Sequence, residues 1–342
     1  MASLLLTTPC SLAIEAGKPD KLFSNTSEMQ ITLSAPWRDL KKAIKKDIRY
    51  PATLTYTDTN GQSQTISVEV APRGITRRFK ACSFPPLKVY FDKEKMKGTI
   101  FRGNKSLKLV TYCQKHSRYE QYYIKEFFAY RIYNLITDFS FRVKPLLVEY
   151  KDSKQASKGI TRFSFFIEDI DAVAKRNKLE KLSADRVLST ELDPEQGSNF
   201  SLFQLLIGNV DWSATSRSAD TTCCHNSRII GSGVNQSPKY AIPYDFDGTG
   251  LVDAHYAAPP NGINIRTIRQ RLYRGYCVHN SPLPMAAARF QQQKPAIKRL
   301  FTDAARLDSK TRRRALEYID GFYAIIDSPQ RFQMELIDKC RR

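Results

Sequence analysis

The periodicity of the sequence changes near residue 170, and this change constrains the fold more than any other feature. Before it, short runs alternate apolar with polar residues, as strands do; after it, apolar residues recur three or four positions apart, as in helices. The strand candidates are Leu54 to Tyr56, Ile66 to Val70, Leu87 to Phe91, Ser106 to Tyr112, Val143 to Tyr150 and Arg162 to Glu168. We therefore expect an α+β chain in which a sheet-rich lobe precedes a mainly helical lobe.

Two local signals give the first lobe its predicted shape. Asn60-Gly61 stands between two strand candidates, and this dipeptide favours the tight turn of a hairpin. Between Ser117 and Thr137, aromatic residues at helical spacing form a stripe on one face of a long helix. The stripe consists of Tyr119, Tyr123, Phe127, Tyr130 and Tyr133. We expect it to pack in the core, and the lobe to be a mainly antiparallel sheet with one long helix inserted.

The same pattern divides the chain into predicted domains. Residues 26–168 form the sheet-rich lobe, and residues 169–342 form the helical lobe with a loop-rich stretch at 208–255. A long irregular segment inside a compact domain is commonly functional. Residues 1–25 hold a short apolar stretch without a preceding basic segment, so we interpret them as either a poor signal peptide or the remnant of an export signal.

The cysteines allow two interpretations. None of the seven has the Cys-x-x-Cys spacing of a zinc site. In an oxidising compartment, Cys82 is placed to meet Cys113, and one thiol of the adjacent Cys223 and Cys224 is placed to meet Cys277. Seven reduced core cysteines in a cytoplasmic protein are equally compatible with the sequence. An exported location and a cytoplasmic one therefore both stay open.

The chain is strongly basic, with 54 Lys and Arg against 34 Asp and Glu and a formal net charge of +20. A basic surface attracts phosphate chains, so a nucleic-acid-binding protein fits this total, but so does a protein that recruits acidic partners. No apolar run approaches the roughly 18 residues that span a bilayer, which excludes a membrane-embedded protein.

The strongest chemical signal is a set of polar residues around the loop-rich stretch. Asp211 lies just past an apolar helix, where it opposes the negative end of the helix dipole, so it is not placed for stability. Asn226 follows, and an apolar strand candidate then delivers Asp245 and Asp247 into a loop that contains glycine. Oxygen ligands in such a loop suit a hard cation such as Mg²⁺ or Mn²⁺. A turn capped by the two carboxylates explains the same residues without a metal.

The order of these motifs resembles the CotH family, the atypical protein kinases related to spore coat protein H. The resemblance covers roughly residues 65 to 255 and is carried by Arg73-Gly74-Ile75-Thr76, Pro85 to Tyr90, Lys108-Leu109-Val110, Phe165 to Glu168, Asn209-Val210-Asp211, Asn226 and Pro243 to Asp247. The stretch 244–254 also resembles a divergent bacterial subgroup whose members are expected to be exported. The resemblance implies a protein-kinase-like two-lobed fold that binds ATP and transfers a phosphoryl group to a protein hydroxyl with the help of a divalent metal.

The resemblance assigns three residues to nucleotide binding. Lys88 matches the family's strand lysine, which is expected to hold the nucleotide phosphates, because a strand fixes the root of the ammonium group. Arg73 matches the Arg-Gly turn near those phosphates. Glu168 matches the Glu before the link between the lobes, where contact with ribose or adenine is expected, although a helix N-terminal acid is equally compatible with its position.

The resemblance assigns four further residues to the chemistry. Asp211 matches the catalytic carboxylate that orients and deprotonates the acceptor hydroxyl. Asn226 and Asp245 match metal ligands, and Asp247 either completes the metal shell or caps the loop. The implied cofactors are ATP with Mg²⁺ or Mn²⁺, and the implied partner is a protein substrate.

Two other classes of function stay open. The chain lacks the His-Arg-Asp and Gly-x-Gly-x-x-Gly motifs of ordinary kinases, and Asp211 lies further from Asn226 than in their catalytic loop. A noncatalytic exported pseudokinase, or a module that binds nucleotides or anions, therefore fits the same residues. The basic charge also allows a nucleic-acid-binding protein or a metal nuclease that uses Asp211, Asp245 and Asp247.

Overall fold

A closed barrel of seven strands forms the first half of the protein in a computed structural model, which describes residues 17, 19–155, 158–216 and 223–342. The strands are β1 Met29–Ala35, β2 Tyr50–Thr57, β3 Ser63–Pro72, β4 Leu87–Phe91, β5 Ser106–Val110, β6 Val143–Asp152 and β7 Ile160–Ile167. Around the barrel they follow the order β1-β2-β3-β4-β5-β7-β6, and β6 returns to β1. All neighbours are antiparallel except β1 and β6, which are parallel.

Helices and a small second sheet make up the rest of the described chain. The helices are α1 Trp37–Lys42, α2 Glu120–Ile136, α3 Ile170–Arg176, α4 Pro194–Ile207, α5 Leu283–Thr302, α6 Ser309–Ile326 and α7 Pro329–Phe332. The second sheet has the order β10-β9-β8 and consists of β8 Glu180–Lys181, β9 Ser227–Gly231 and β10 Lys239–Pro243.

The predicted two-lobed, protein-kinase-like fold is wrong. The strands close into a mixed barrel instead of forming an open antiparallel sheet, because β1 lies parallel to β6 with Ile31 opposite Val148. One continuous apolar core runs from Leu33 and Phe165 in the barrel to Leu206 and Phe290 in the helices. The boundary between residues 168 and 169 stays a prediction, and the proposed signal remnant lies mostly outside the described residues.

Helix α2 packs between the barrel and the later helices. The ring of Phe127 lies 5.6 Å from that of Phe165 in β7, and the ring of Tyr133 lies 4.4 Å from that of Phe203 in α4, measured between centroids. The stripe residues within α2 are buried, which confirms that they pack in the core, whereas Tyr119 precedes the helix and is half-buried.

The disulfides agree with the oxidised interpretation only in part. Cys82 is bonded to Cys113, as that interpretation predicted. Cys277, however, is bonded to Cys340, and Cys223 is bonded to Cys224. Cys10 lies outside the described residues.

Membrane-crossing helices are absent from the part of the chain that the structure describes, since no helix there combines the necessary length and apolarity.

Candidate functional site

Asp245 and Asp247 follow β10, and the residue between them in the sequence is an aromatic residue anchored in the core. Phe246 between them is 1% exposed, and its ring lies 4.5 Å from that of Tyr130 and 5.2 Å from that of Phe203, measured between centroids. Asp245 has a φ of +68°, in the left-handed region that non-glycine residues seldom adopt. Its backbone amide donates a hydrogen bond to the Tyr130 hydroxyl at 3.1 Å. Core packing therefore holds the Asp245 backbone in a strained conformation, which is a common property of functional sites.

Asp245 is exposed, and its carboxylate belongs to a group of interacting charges whose surroundings we call the cleft. Its side chain reaches solvent, yet the surrounding protein raises its pKa by desolvation, and the nearby charge of Asp247 raises it further. Arg73, Lys108 and Arg77 oppose this effect. The Asp247 carboxylate accepts a hydrogen bond from the Tyr256 hydroxyl at 2.8 Å. The cleft thus holds two close carboxylates among several cations.

Lys108 of β5 is the lysine that faces these carboxylates. Its Nζ lies 4.5 Å from the centre of the Tyr244 ring, directly before Asp245. Desolvation, followed by repulsion from Arg73 and Arg228, lowers the pKa of Lys108 to about 7. Lys108 keeps partial solvent access, so an anion can reach it.

Lys88, the lysine assigned from the sequence, is the register partner of Lys108 on β4. Its Nζ lies 5.1 Å from the Tyr90 ring, whereas Lys108 is among the main charges that act on Asp245. The two lysines lie on the same face of the sheet, so they differ only in the strand that carries them and in the neighbours of that strand. The alternation of Leu107, Lys108 and Leu109 was the available signal for Lys108.

Arg73 lies directly after β3 and acts electrostatically on Asp245, Lys108 and Glu126. Its Nε atom is buried without a hydrogen-bond partner among the described residues. An unpartnered buried donor is costly, and an anion in the cleft would relieve that cost. The structure therefore brings Arg73 into the same cleft as Asp245.

A buried ion pair supports the cleft from α2. Arg77 Nη1 lies 3.1 Å from Glu126 Oε2, and both side chains are almost fully buried. Desolvation raises the pKa of Glu126, Arg77 opposes this, and Asp247 and Asp245 add to it. Neither Arg77 nor Glu126 was predicted, because nothing in the helical stripe shows which residue faces the barrel end.

Asp211 is positioned by the end of α4. Gly208 has a φ of +62° and ends the helix in the left-handed conformation. The Asp211 backbone amide then donates to Asn209 Oδ1 at 3.0 Å, and the Trp212 indole donates to the Asn209 carbonyl at 3.1 Å. This turn directs the half-buried Asp211 side chain toward the segment before β9.

Two consecutive residues of that segment bind Asp211. His225 Nε2 lies 2.7 Å from Asp211 Oδ1, and this hydrogen bond raises the pKa of His225. Asn226 Nδ2 donates to the Asp211 carbonyl at 2.7 Å and to Asp211 Oδ2 at 3.2 Å. The Asn226 carbonyl in turn accepts from the Tyr244 amide at 3.2 Å, which connects this pair to Asp245.

Two arginines fix the same region from residues 264–274, a segment of turns and irregular chain. Arg271 donates to the carbonyls of Leu205 and Leu206, and Arg274 donates to that of Val210. These arginines therefore satisfy carbonyl groups at the end of α4.

The described residues fit a divalent cation only as a partial shell. Asn226 uses its amide nitrogen on Asp211, and no hydrogen bond from a described residue reaches its Oδ1. The repulsion between the Asp245 and Asp247 carboxylates would be relieved by a cation. Among the described residues, however, no group of three or more His, Cys, Asp or Glu side chains is able to hold a metal. Mg²⁺ commonly needs only one or two carboxylates, with waters and phosphate oxygens completing its shell.

Glu168 lies outside this cluster. Its side chain is buried, and its Oε1 lies 3.2 Å from Arg176 Nε. The Arg142 amide donates to its Oε2 at 2.9 Å. Both carboxylate oxygens are therefore used within the fold, and the predicted contact with ribose or adenine stays a prediction.

No protein-family model matches this chain, and no curated protein matches its sequence. The family resemblance therefore rests only on the residues that suggested it, and the function rests on the geometry of the cleft.

Proposed function

We propose that the protein is a phosphotransferase that uses ATP with Mg²⁺ or Mn²⁺ to phosphorylate a protein hydroxyl. The observation that carries the proposal is that Lys108 lies against Tyr244, directly before Asp245, and that Lys108, Arg73 and Asp247 all act electrostatically on Asp245. Such a site suits a phosphate chain together with its metal, because the cations neutralise the phosphates and the carboxylates neutralise the metal ion.

The cations would bind the nucleotide. Lys108 is the better placed lysine, since Tyr244, Arg73 and Asp245 surround it and it retains access to solvent. Arg73 adds a guanidinium with an unpartnered buried Nε. Binding of a phosphate would restore the charged form of Lys108, which burial disfavours.

The acidic side would hold the metal. Asp245 and Asp247 supply carboxylate oxygens, and Asn226 supplies its free Oδ1. When bound, the metal neutralises charge on the phosphates. Asn226 and Asp245 have left-handed φ values of +49° and +68°. Such strained backbones persist only where the surrounding structure holds them in place.

Asp211 would serve as the catalytic base. The acceptor hydroxyl oxygen forms a bond to the γ-phosphorus of ATP, the bond from that phosphorus to the β,γ-bridging oxygen breaks, and ADP leaves. The hydroxyl proton goes to Asp211. Asn226 and His225 hold the Asp211 carboxylate in place through the hydrogen bonds already described. Positioning of this kind supplies much of the catalysis in phosphoryl transfer.

The proposed location is outside the cytoplasm. The Cys82–Cys113 and Cys277–Cys340 bonds each join distant parts of the chain, with sequence separations of 31 and 63. Disulfides of this kind persist in oxidising compartments such as the periplasm or the extracellular space.

Transfer of label from γ-labelled ATP tests the proposal, with the protein itself and a panel of acidic proteins as acceptors. We expect labelling that requires Mg²⁺ or Mn²⁺, and a loss of about 100-fold or more in Asp211→Asn and Asp245→Asn. Asp320→Asn is the matched control, because Asp320 pairs with Lys298 on the surface of α6. Metal-dependent ATP binding without transfer would instead support the noncatalytic nucleotide-binding alternative.

A further inference from the structure

A separate cavity of about 480 Å³ lies between α2, the barrel and the second half of α5. Its size falls in the range of small-molecule sites, which is about 300–1,000 Å³. One face of α2 lines it, with Ile124, Phe127, Phe128, Arg131 and Leu135 spaced by three or four residues. None of the residues of the catalytic cleft contributes to this cavity.

The apolar walls are fixed by packing. The ring of Phe127 lies 5.6 Å from that of Phe163, and the ring of Phe128 lies 5.1 Å from that of Phe301, measured between centroids. Leu300 and Ala296, one turn apart on α5, face these rings across the cavity. Because its walls pack against the core, the cavity is formed before any ligand binds.

Arg131 interrupts this apolar face. Its side chain is half-buried and makes no hydrogen bond or ion pair with any described residue. Desolvation and the nearby charge of Arg142 lower its pKa. A partly desolvated cation without a partner is costly, and an anion is what would stabilise it.

The other charges around the cavity are already balanced or exposed. Arg306 binds Glu28 through two contacts, at 2.6 and 3.0 Å. Arg299 and Asp303 are exposed on the rim and carry opposite charges. Among the described residues that line the cavity, Arg131 is therefore the half-buried cation without an ion pair.

We propose that the cavity binds an amphipathic carboxylate, with its apolar body against the α2 and α5 side chains and its carboxylate on Arg131. The observation behind this proposal is independent of the proposed phosphotransferase activity.

Isothermal titration with dodecanoate, below its micellar concentration, tests the proposal on the full chain. We expect saturable binding of one dodecanoate per chain, and binding at least about tenfold weaker for dodecanol and for dodecyltrimethylammonium, since a charge-assisted hydrogen bond contributes at least this much. Equal affinity for the three probes, or no saturable binding, would overturn the proposal.

Variants separate the carboxylate contact from the apolar contact. Arg131→Gln should weaken dodecanoate by about tenfold or more and leave dodecanol unchanged, because it removes the charge alone. Ala296→Phe should weaken both probes by filling the cavity. Arg313→Gln is the control, since Arg313 pairs only with Glu317 on the exposed face of α6. Because Arg131 has no ion pair or hydrogen bond among the described residues, its variant should fold normally, and unchanged dodecanoate affinity in folded Arg131→Gln would contradict the assignment.

Discussion

The Asn226 side-chain amide donates hydrogen bonds to both the carbonyl oxygen and the carboxylate of Asp211, at 2.7 and 3.2 Å. The bonds fix a carboxylate that follows a helix end, where the helix dipole does not favour it. They also direct Asn226 Oδ1 away from Asp211. A single side chain thus connects the proposed base to the proposed metal ligands.

Replacement of Asn226 by glycine should separate this role from the backbone strain. Glycine accepts the φ of +49° without cost, so only the amide is lost. We expect a decrease of about 1 kcal/mol in the free energy of unfolding, from urea titration, because hydrogen bonds of Asp211 are lost. The rate of phosphoryl transfer should fall by much more than this small loss of stability explains. Transfer at the wild-type rate would contradict the role given to Asn226.

The His225–Asp211 pair should make stability depend on pH. The hydrogen bond that His225 donates to the Asp211 carboxylate raises the pKa of His225 above its ordinary value of 6.5. The contribution of the His225–Asp211 pair to the free energy of unfolding is therefore complete below pH 6.5. It is lost as the pH rises through the folded-state pKa of His225. NMR titration should show this raised pKa in the wild type and a lower one in Asp211→Asn. An identical titration of His225 in both proteins would show that Asp211 does not stabilise the charged imidazole.

Binding of ATP should take up a proton at Lys108. With a pKa of about 7, this amine is mostly neutral at pH 8, whereas a bound phosphate favours the charged form. Titration calorimetry at pH 8 in two buffers with different ionisation heats measures the uptake. We expect uptake in the wild type and in Lys88→Met. Equal binding enthalpies in the two buffers would contradict the lowered pKa.

Glu168 should matter for stability and not for nucleotide affinity. Its carboxylate is paired with Arg176 in the interior, and removal of one partner leaves the other charge buried. We expect Glu168→Gln to lower the free energy of unfolding by about 3 kcal/mol, measured with urea. ATP affinity of the folded variant should equal that of the wild type; a loss of affinity without a loss of stability would restore the role assigned from the sequence.

Local structure was largely predictable because it depends on neighbours in sequence. Alternation identified β4 at its observed bounds, and the aromatic spacing identified α2 as a core helix. The closure of the barrel was not predictable in this way. Strand β1 was missed, and its parallel pairing with β6 joins residues more than 100 positions apart, such as Ile31 and Val148.

The site was predictable in its loop residues and less so in its strand residues. Polar residues at the ends of apolar elements are recognisable in the sequence, as are Asp211, Asn226, Asp245 and Asp247. The fold brings these four residues close together. The choice between Lys88 and Lys108 depends on which strand borders Asp245, and a sequence does not state strand order. The contacts of Arg271 with the carbonyls of Leu205 and Leu206 in α4 were not predictable either, because they are nonlocal.

The central claim, that the cleft between Lys108 and Asp245 binds a metal–nucleotide complex, is tested most directly by ATP titration of Lys108→Met and Lys88→Met in the presence of Mn²⁺. The two residues are both lysines and are cross-strand neighbours on β4 and β5, so each variant serves as the control for the other. We predict that Lys108→Met weakens ATP by about tenfold or more and that Lys88→Met binds as the wild type does. Loss of binding in Lys88→Met with wild-type affinity in Lys108→Met, or no Mn²⁺-dependent ATP binding by the wild type, would contradict the claim.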